Sequence, residues 1–122
     1  MGYVFVFIGG GLGSICRFMI AQWMPWKIGT IPWGTFTTNL FSCILIGVLL
    51  GMQIKSGLSN EMKWLFSIGF CGGFSTFSTF TKEIYQLIEV GYWTTALVYI
   101  LISILLCIVG VFTGLKIIEL ST

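Results

Sequence analysis

The chain has 122 residues, of which 57% are hydrophobic and 8% charged, whereas a soluble domain carries roughly 25% charged residues. Six cationic and four acidic side chains cannot cover the surface of a soluble domain, so the composition predicts that lipid surrounds most of the chain. Histidine, aspartate and Cys-x-x-Cys motifs are absent from the sequence, which removes the usual material of metal clusters and catalytic triads. The net charge of +2 is too small for a nucleic-acid footprint. We therefore expect neither an enzyme nor a nucleic-acid partner.

Four apolar stretches divide the chain, and each is long enough to cross a bilayer as a helix of about 20 residues. They cover residues 3–24, 33–54, 61–89 and 92–116. Pro25 and Pro32 interrupt the pattern between the first two stretches, and Gly91 marks the turn before the last. The pattern predicts an all-α membrane protein with a single four-helix transmembrane domain. Each stretch holds one cysteine, which we expect to be a small buried side chain and not part of a disulfide.

Cationic side chains give little indication of the direction in which the chain crosses the membrane. Lys55, Lys63 and Lys116 fall on one predicted side, and Lys27 and Lys82 fall on the other, although cations normally concentrate on the cytoplasmic side. A chain without this bias can insert in both orientations. We therefore hypothesise an antiparallel, dual-topology homodimer around a two-fold axis in the membrane plane.

Polar residues in the first two stretches point to an anion. The cation of Arg17 is costly inside a span, which favours an anion-attracting vestibule, although snorkelling to the interface is the alternative. Thr35, Thr38, Asn39 and Ser42 have the spacing i, i+3, i+4, i+7 and so share one helical face. Asn39 either donates N–H groups to a dehydrated anion or bonds between helices. We assign Arg17 and Thr35 to the vestibule.

The third stretch contains two adjacent glycines, Gly72 and Gly73, followed by hydroxyl residues that can bond back to the chain. This is poor material for an uninterrupted helix. We expect the third helix to break near mid-membrane, where freed backbone carbonyls line a cavity or hold a cation. A simple kink is the alternative.

Beyond the expected break, Phe77 and Phe80 alternate with the hydroxyl residues Ser78 and Thr79. Because a phenyl ring has a positive edge, ring edges beside hydroxyl donors can accept an anion without a full positive charge. Packing between helices is the ordinary alternative for phenylalanines in a membrane helix.

The fourth stretch adds a thin polar stripe of Tyr99, Ser103 and Cys107, spaced four residues apart. Tyr99 donates its hydroxyl either to the same path or to the membrane interface. Glu83 is the only acidic candidate near a hydroxyl stripe, and coupled carriers commonly use an intramembrane carboxylate. The predominance of donors therefore favours a passive path for a small anion that accepts hydrogen bonds strongly.

Three motifs carry a resemblance to a known family. They are Gly10-Gly11-Leu12-Gly13 with Arg17, Gly34-Thr35 with Asn39 and, most specifically, residues 69–80, Gly-Phe-Cys-Gly-Gly-Phe-Ser-Thr-Phe-Ser-Thr-Phe. Through them the chain resembles the Fluc (CrcB) family of fluoride channels. The resemblance implies fluoride export from the cytoplasm by an antiparallel homodimer of four-helix subunits, with two pores and a central structural sodium ion.

The resemblance also implies roles for particular residues. Those of the fluoride path are Asn39, Phe77 and Phe80, with Tyr99 and Ser103 nearby, and we add the hydroxyls of Ser78 and Thr79. Backbone carbonyls at Gly72 and Ser75 hold the sodium ion. Ser75 stands where many members have threonine, a change that a backbone ligand tolerates.

Two other functions share some of these features. A small multidrug antiporter has the same size and four spans, but it needs a membrane-embedded glutamate in the first span, where this chain has Arg17. Glycines four residues apart predict close packing of helices; the pairs are Gly9 and Gly13, Gly47 and Gly51, and Gly110 and Gly114. A non-transporting membrane assembly subunit explains these glycine pairs but does not need Arg17, Asn39 and the hydroxyl stripes together. Some relatives of the channel family are paired, fixed-topology chains, which the weak charge bias argues against.

Overall fold

The computed structural model describes residues 1–121, and every regular element in that range is helical. In chain order the elements are α1 (Gly2–Trp23), α2 (Trp33–Ser56), α3 (Asn60–Met62), a π-helical stretch (Lys63–Phe70), α4 (Cys71–Phe74), α5 (Phe77–Glu89) and α6 (Trp93–Leu120). The helices α1, α2 and α6 each have the length and apolar composition of a membrane span. The prediction of an all-helical chain with membrane-spanning helices is thus confirmed, and α6 extends past the predicted end at residue 116.

Glycines let two pairs of helical segments approach backbone to backbone. A Cβ added to Gly47 would collide with the Val111 carbonyl, and one added to Gly114 would collide with the Ile44 carbonyl, so α2 and α6 pack without side chains between them. On α1, Gly13 lies in the same way against the Phe70 carbonyl of the π-helical stretch. Small residues at such crossings are typical of membrane helices. The predicted packing role of these glycines is confirmed.

Two residues with extended backbone, Ser75 and Thr76, lie between α4 and α5. Ser75 has φ −83° and ψ 159°, and Thr76 has φ −153° and ψ 119°. The Thr76 side chain caps α5, because its Oγ1 accepts a hydrogen bond from the Thr79 amide at 3.1 Å. The backbone is continuous here, but the helix is interrupted, and we refer to this interruption at Ser75 and Thr76 as the chain break.

The helix α5 is amphipathic and packs its apolar face against α6. Leu87 on α5 and Tyr99 on α6 are both fully buried, with Phe80 and Ala96 beside them. On the outside of the molecule, large apolar side chains such as Phe7 (81% exposed) and Phe112 (67% exposed) point away from the protein. Such an exterior is costly in water and favourable in lipid.

Candidate functional site

A groove of about 250 Å³ opens beside the chain break, where α2, α5 and α6 meet. It is lined by Asn39, Cys43, Ser75, Thr76, Phe77, Phe80, Ser103, Ile104 and Cys107. The groove thus brings together four of the predicted path residues, Asn39, Phe77, Phe80 and Ser103. A larger concavity of about 920 Å³ lies between the C-terminal ends of α2 and α6, but none of the predicted site residues line it.

Asn39 holds the chain break from the neighbouring helix α2. Its Oδ1 accepts a hydrogen bond from the Thr76 amide at 2.8 Å, and its Nδ2 donates to the Thr76 carbonyl at 3.2 Å. The carboxamide therefore pairs with both the amide and the carbonyl of Thr76, where the backbone leaves the helix. Only one of its two amide protons is used in this way, and the side chain also lines the groove.

The carbonyls of Gly72 and Ser75 are among those that lose their helical donors at the break. The Thr76 amide donates to Asn39 and not to the Gly72 carbonyl, and the Thr79 amide donates to Thr76 Oγ1 and not to the Ser75 carbonyl. Gly72 is also exposed, and a Cβ built on it would meet no atom within 4 Å. Ser75 is half-buried. We call the Gly72 and Ser75 carbonyls, which lack helical donors, the open carbonyls.

The two predicted path phenylalanines differ in burial. Phe77 is 76% exposed and Phe80 is 6% exposed, and their ring centroids lie 5.7 Å apart. Phe80 meets Tyr99 edge to face, with centroids 5.0 Å apart and planes at 64°. Because Phe80 is fixed between Tyr99 and the groove, its orientation is set by packing.

A buried carboxylate lies behind Phe80. Glu83 is 6% exposed and receives the hydroxyl of Thr35 on Oε2 at 2.7 Å and the hydroxyl of Tyr99 on Oε1 at 2.8 Å. Each carboxylate oxygen thus has its own donor, one from α2 and one from α6. Hydrogen bonds to both oxygens offset part of the cost of burying the group. We call Thr35, Glu83 and Tyr99 the carboxylate cluster.

Ser103 is the unsatisfied polar group of the groove. Its side chain is 5% exposed, and its Oγ is the buried side-chain oxygen that finds no hydrogen-bond partner within residues 1–121. A buried hydroxyl without a partner costs free energy. A group in this position is prepared to donate to a ligand that enters the groove.

The remaining predicted residues of the path and the vestibule do not line the groove, and each has a partner within the protein. Ser78 and Thr79 both lie within 3.2 Å of Thr76 Oγ1, at the N-terminus of α5. The guanidinium of Arg17 donates from Nε to the Gly73 carbonyl at 2.9 Å, next to the chain break. Arg17 is thus anchored by α4, and Thr35 belongs to the carboxylate cluster.

Comparison with known proteins identifies the family. The sequence model described as "CrcB-like protein, Camphor Resistance (CrcB)" matches residues 4–115 of the chain. The chain belongs to the CrcB family. This CrcB-family chain is 40% identical over 112 residues to the "Fluoride-specific ion channel FluC" of Phocaeicola vulgatus, a match that covers 90% of this chain and 92% of the relative.

Two further relatives carry the same name. The FluC protein of Bacteroides fragilis is 35% identical over 115 residues, 91% of each chain. That of Leptospira interrogans is 39% identical over 113 residues, which covers 91% of this chain and 89% of the relative. Membership of the CrcB family favours the channel hypothesis over the antiporter and the assembly subunit.

Sequence reasoning underestimated two features of this CrcB-family chain. Glu83 was noted as the only acidic residue near a hydroxyl stripe and was given no partner, although it lies three residues after Phe80 and therefore on the same helical face. Cys43 follows Asn39 by four residues, and Cys107 follows Ser103 by four. This spacing had already placed Cys107 on the stripe with Ser103, and the same i, i+4 relation to Asn39 was the signal that would have placed Cys43 in the groove.

Proposed function

We propose that this CrcB-family chain forms a passive, fluoride-selective channel of the plasma membrane that lets cytoplasmic fluoride leave down its gradient and so lowers its toxicity. The relatives of known name support the ion. The observation that carries the proposal is the groove itself, where the unpartnered hydroxyl of Ser103 faces the same space as the Asn39 carboxamide. Both are neutral hydrogen-bond donors.

A neutral lining of this kind selects by size and hydrogen-bond strength. An anion that enters must lose water, and only strong, short hydrogen bonds return that free energy. Fluoride is small and accepts hydrogen bonds strongly, whereas chloride is larger and accepts them weakly. Donors from Asn39 and Ser103, with the edge of Phe80 beside them, therefore suit fluoride. The hydroxyls of Ser78 and Thr79 lie at the N-terminus of α5. Tyr99 packs against Phe80 and so helps to hold the ring in place.

The positive charge of Arg17 also supports the transport of an anion. Arg17 is half-buried and donates a hydrogen bond to the Gly73 carbonyl, beside the chain break. We propose that its charge raises the local concentration of anions in a vestibule that also includes Thr35, while the neutral groove performs the selection.

We further propose that residues 60–89 form one transmembrane segment, broken at Ser75 and Thr76, and that two copies of the chain assemble antiparallel in the lipid bilayer. The nearly even division of lysines between the two sides supports dual topology. The exposure of Gly72 and of the Phe77 ring supports a second copy against this surface. Reporters fused to the C-terminus test this proposal, since dual topology requires signal from both sides of the membrane and a single side contradicts it.

The open carbonyls at the break suit a structural sodium ion. Backbone oxygens are hard ligands, which alkali cations prefer over nitrogen or sulfur. The Gly72 and Ser75 carbonyls lack helical donors, so they have the right chemistry. Two carbonyls from each of two copies would hold one ion and fix the copies together. If so, prolonged dialysis into sodium-free buffer with N-methylglucamine lowers fluoride flux, and sodium restores it; undiminished flux contradicts the site.

Fluoride transport is tested directly with purified protein in liposomes. Vesicles loaded with potassium fluoride are diluted into fluoride-free buffer, and a fluoride electrode follows release after valinomycin provides a path for potassium. A passive channel gives rapid release that depends on valinomycin, because each fluoride ion carries charge. Matched vesicles loaded with potassium chloride should release little chloride. The absence of fluoride release would end the channel proposal.

A further inference from the structure

Two cysteines from different helices meet in the groove. Cys43 on α2 and Cys107 on α6 both line it. A Cβ built on Gly110 would come within 3.5 Å of the Cys43 Cβ, so Cys43 lies directly against the turn of α6 that carries Cys107. Both cysteines are free and half-buried. A molecule or ion in the groove can therefore reach both thiols.

The other two cysteines do not take part in this arrangement. Cys71 is buried, and its Sγ lies 3.9 Å from the Ser42 carbonyl. Cys16 belongs to α1, which contributes nothing to the groove. The pair is thus distinguished from the remaining cysteines by position and access.

We propose that Cys43 and Cys107 form a two-thiol binding site for a soft divalent metal ion, Hg²⁺ being the ion that fits best, and that the bound ion closes the groove. The second part rests on the proposed channel function. Thiolates are preferred ligands of soft cations, and Hg²⁺ is stable with two sulfur ligands. Binding is a simple exchange without redox chemistry: two S–H bonds break, two Hg–S bonds form and two protons are released to solvent.

Charge and coordination number select the ion. Hg²⁺ with two thiolates gives a neutral complex, which a membrane-embedded groove accepts at low cost. Ag⁺ with two thiolates leaves one negative charge, which the same groove disfavours. Zn²⁺ usually binds four protein ligands in a structural site. Within residues 1–121 there is no cluster of three or more histidine, cysteine or acidic side chains. The pair therefore lacks the further ligands that zinc requires.

Binding is tested by titrating mercuric chloride into the purified protein and following the ultraviolet absorption of the mercury–thiolate bond. We expect one tight site per chain. Cys43→Ser and Cys107→Ser should each weaken it roughly 100-fold, the loss expected when one of two linked ligands is removed. Cys16→Ser is the matched control and should retain the tight site. Wild-type affinity in either Cys43→Ser or Cys107→Ser would overturn the proposal.

Closure is tested by fluoride release from liposomes, with each protein compared with its own untreated flux. Equimolar mercuric chloride should block the wild type and Cys16→Ser, and excess dithiothreitol should reverse the block. Cys43→Ser and Cys107→Ser should escape it. Tight binding without loss of flux contradicts closure. If the untreated wild type fails to conduct, the channel proposal fails, whereas the absorption titration still decides whether the metal site exists.

Discussion

Tyr99 donates its hydroxyl to Glu83 Oε1 at 2.8 Å, and both residues are almost completely buried. Glu83 forms no ion pair, because the ion pair found within residues 1–121 is Lys116–Glu119 at the surface. The carboxylate depends instead on two hydroxyl donors, Tyr99 from α6 and Thr35 from α2. Glu83 therefore links three helices directly behind the groove, and its environment sets the position of Phe80.

Tyr99→Phe should destabilise the protein while leaving its shape nearly unchanged. The substitution deletes one donor to a buried carboxylate, which costs about 1.5–3 kcal/mol. Thermal unfolding in detergent measures the loss. Tyr85→Phe is the control, because Tyr85 is 62% exposed on α5 and its substitution should leave the unfolding temperature unchanged. Equal stability of Tyr99→Phe and the wild type would show that the carboxylate cluster contributes nothing.

Ser103→Ala should slow fluoride release without lowering the stability of the protein. The Ser103 hydroxyl is buried without a partner, so its removal should leave the protein equally stable or slightly more stable. If the hydroxyl serves fluoride, the same change slows fluoride release about tenfold, the effect of losing one hydrogen bond of roughly 1–1.5 kcal/mol. Thr113→Ala on α6 is the control, since Thr113 is exposed and bonds to its own helix at Val109. Unchanged flux in Ser103→Ala would remove Ser103 from the path.

Phe80→Ile should impair fluoride release while the protein remains folded and assembled. Isoleucine keeps most of the buried volume but has no aromatic ring edge to offer to an anion in the groove. Size-exclusion chromatography reports assembly, and liposome release reports flux. Phe7→Ile is the matched control, because Phe7 is 81% exposed on α1. Normal conduction by Phe80→Ile would show that the aromatic edge has no part in the path.

Asn39→Asp should suppress fluoride flux more strongly than any neutral change in the groove. A negative charge about 4 Å from a passing anion costs roughly 4 kcal/mol at an effective dielectric constant of 20, equivalent to about a thousandfold. The substitution also loses the hydrogen bond from Nδ2 to the Thr76 carbonyl. Asn60→Asp, at the exposed start of α3, adds the same charge elsewhere and should conduct normally. Comparable flux in the two variants would place Asn39 outside the path.

Gly114→Ala should destabilise the contact between α2 and α6. The added methyl group meets the Ile44 carbonyl and the Val48 amide nitrogen, both of which are backbone, so the helices must separate at a cost of about 1–3 kcal/mol. Gly11→Ala is the control, because its Cβ meets no atom within 4 Å and alanine favours a helix by up to about 1 kcal/mol. The two variants should therefore shift the unfolding temperature in opposite directions.

Composition and periodicity were enough to predict the helical, membrane-spanning character of the chain and the packing role of Gly13 and its counterparts. These properties depend on the solvent and on spacing within one helix. Hydropathy and spacing within a single segment therefore predict them, without knowledge of which residues from other helices are in contact.

The partners of polar side chains were not predictable in the same way. The Tyr99 hydroxyl was expected to donate to the path or to the membrane interface. In the folded chain it donates to Glu83, which lies 16 residues earlier in the sequence. That contact depends on how far α5 is rotated against α6, which periodicity leaves open. Asn39 shows the same limitation, because both of its alternatives, interhelical bonding and anion donation, are compatible with a residue that holds Thr76 and also lines the groove.

The hydrogen bonds between Asn39 and Thr76 have a consequence for biosynthesis. Asn39 precedes Thr76 by 37 residues, and a chain made from its N-terminus delivers α2 to the membrane before the break emerges. The break therefore inserts beside a partner that is already in place, and its backbone groups need not face hydrocarbon alone. The order of the helices along the chain thus helps the protein to insert and fold. A circular permutation that placed residues 60–89 ahead of α2 would present the break before its partner and should insert poorly.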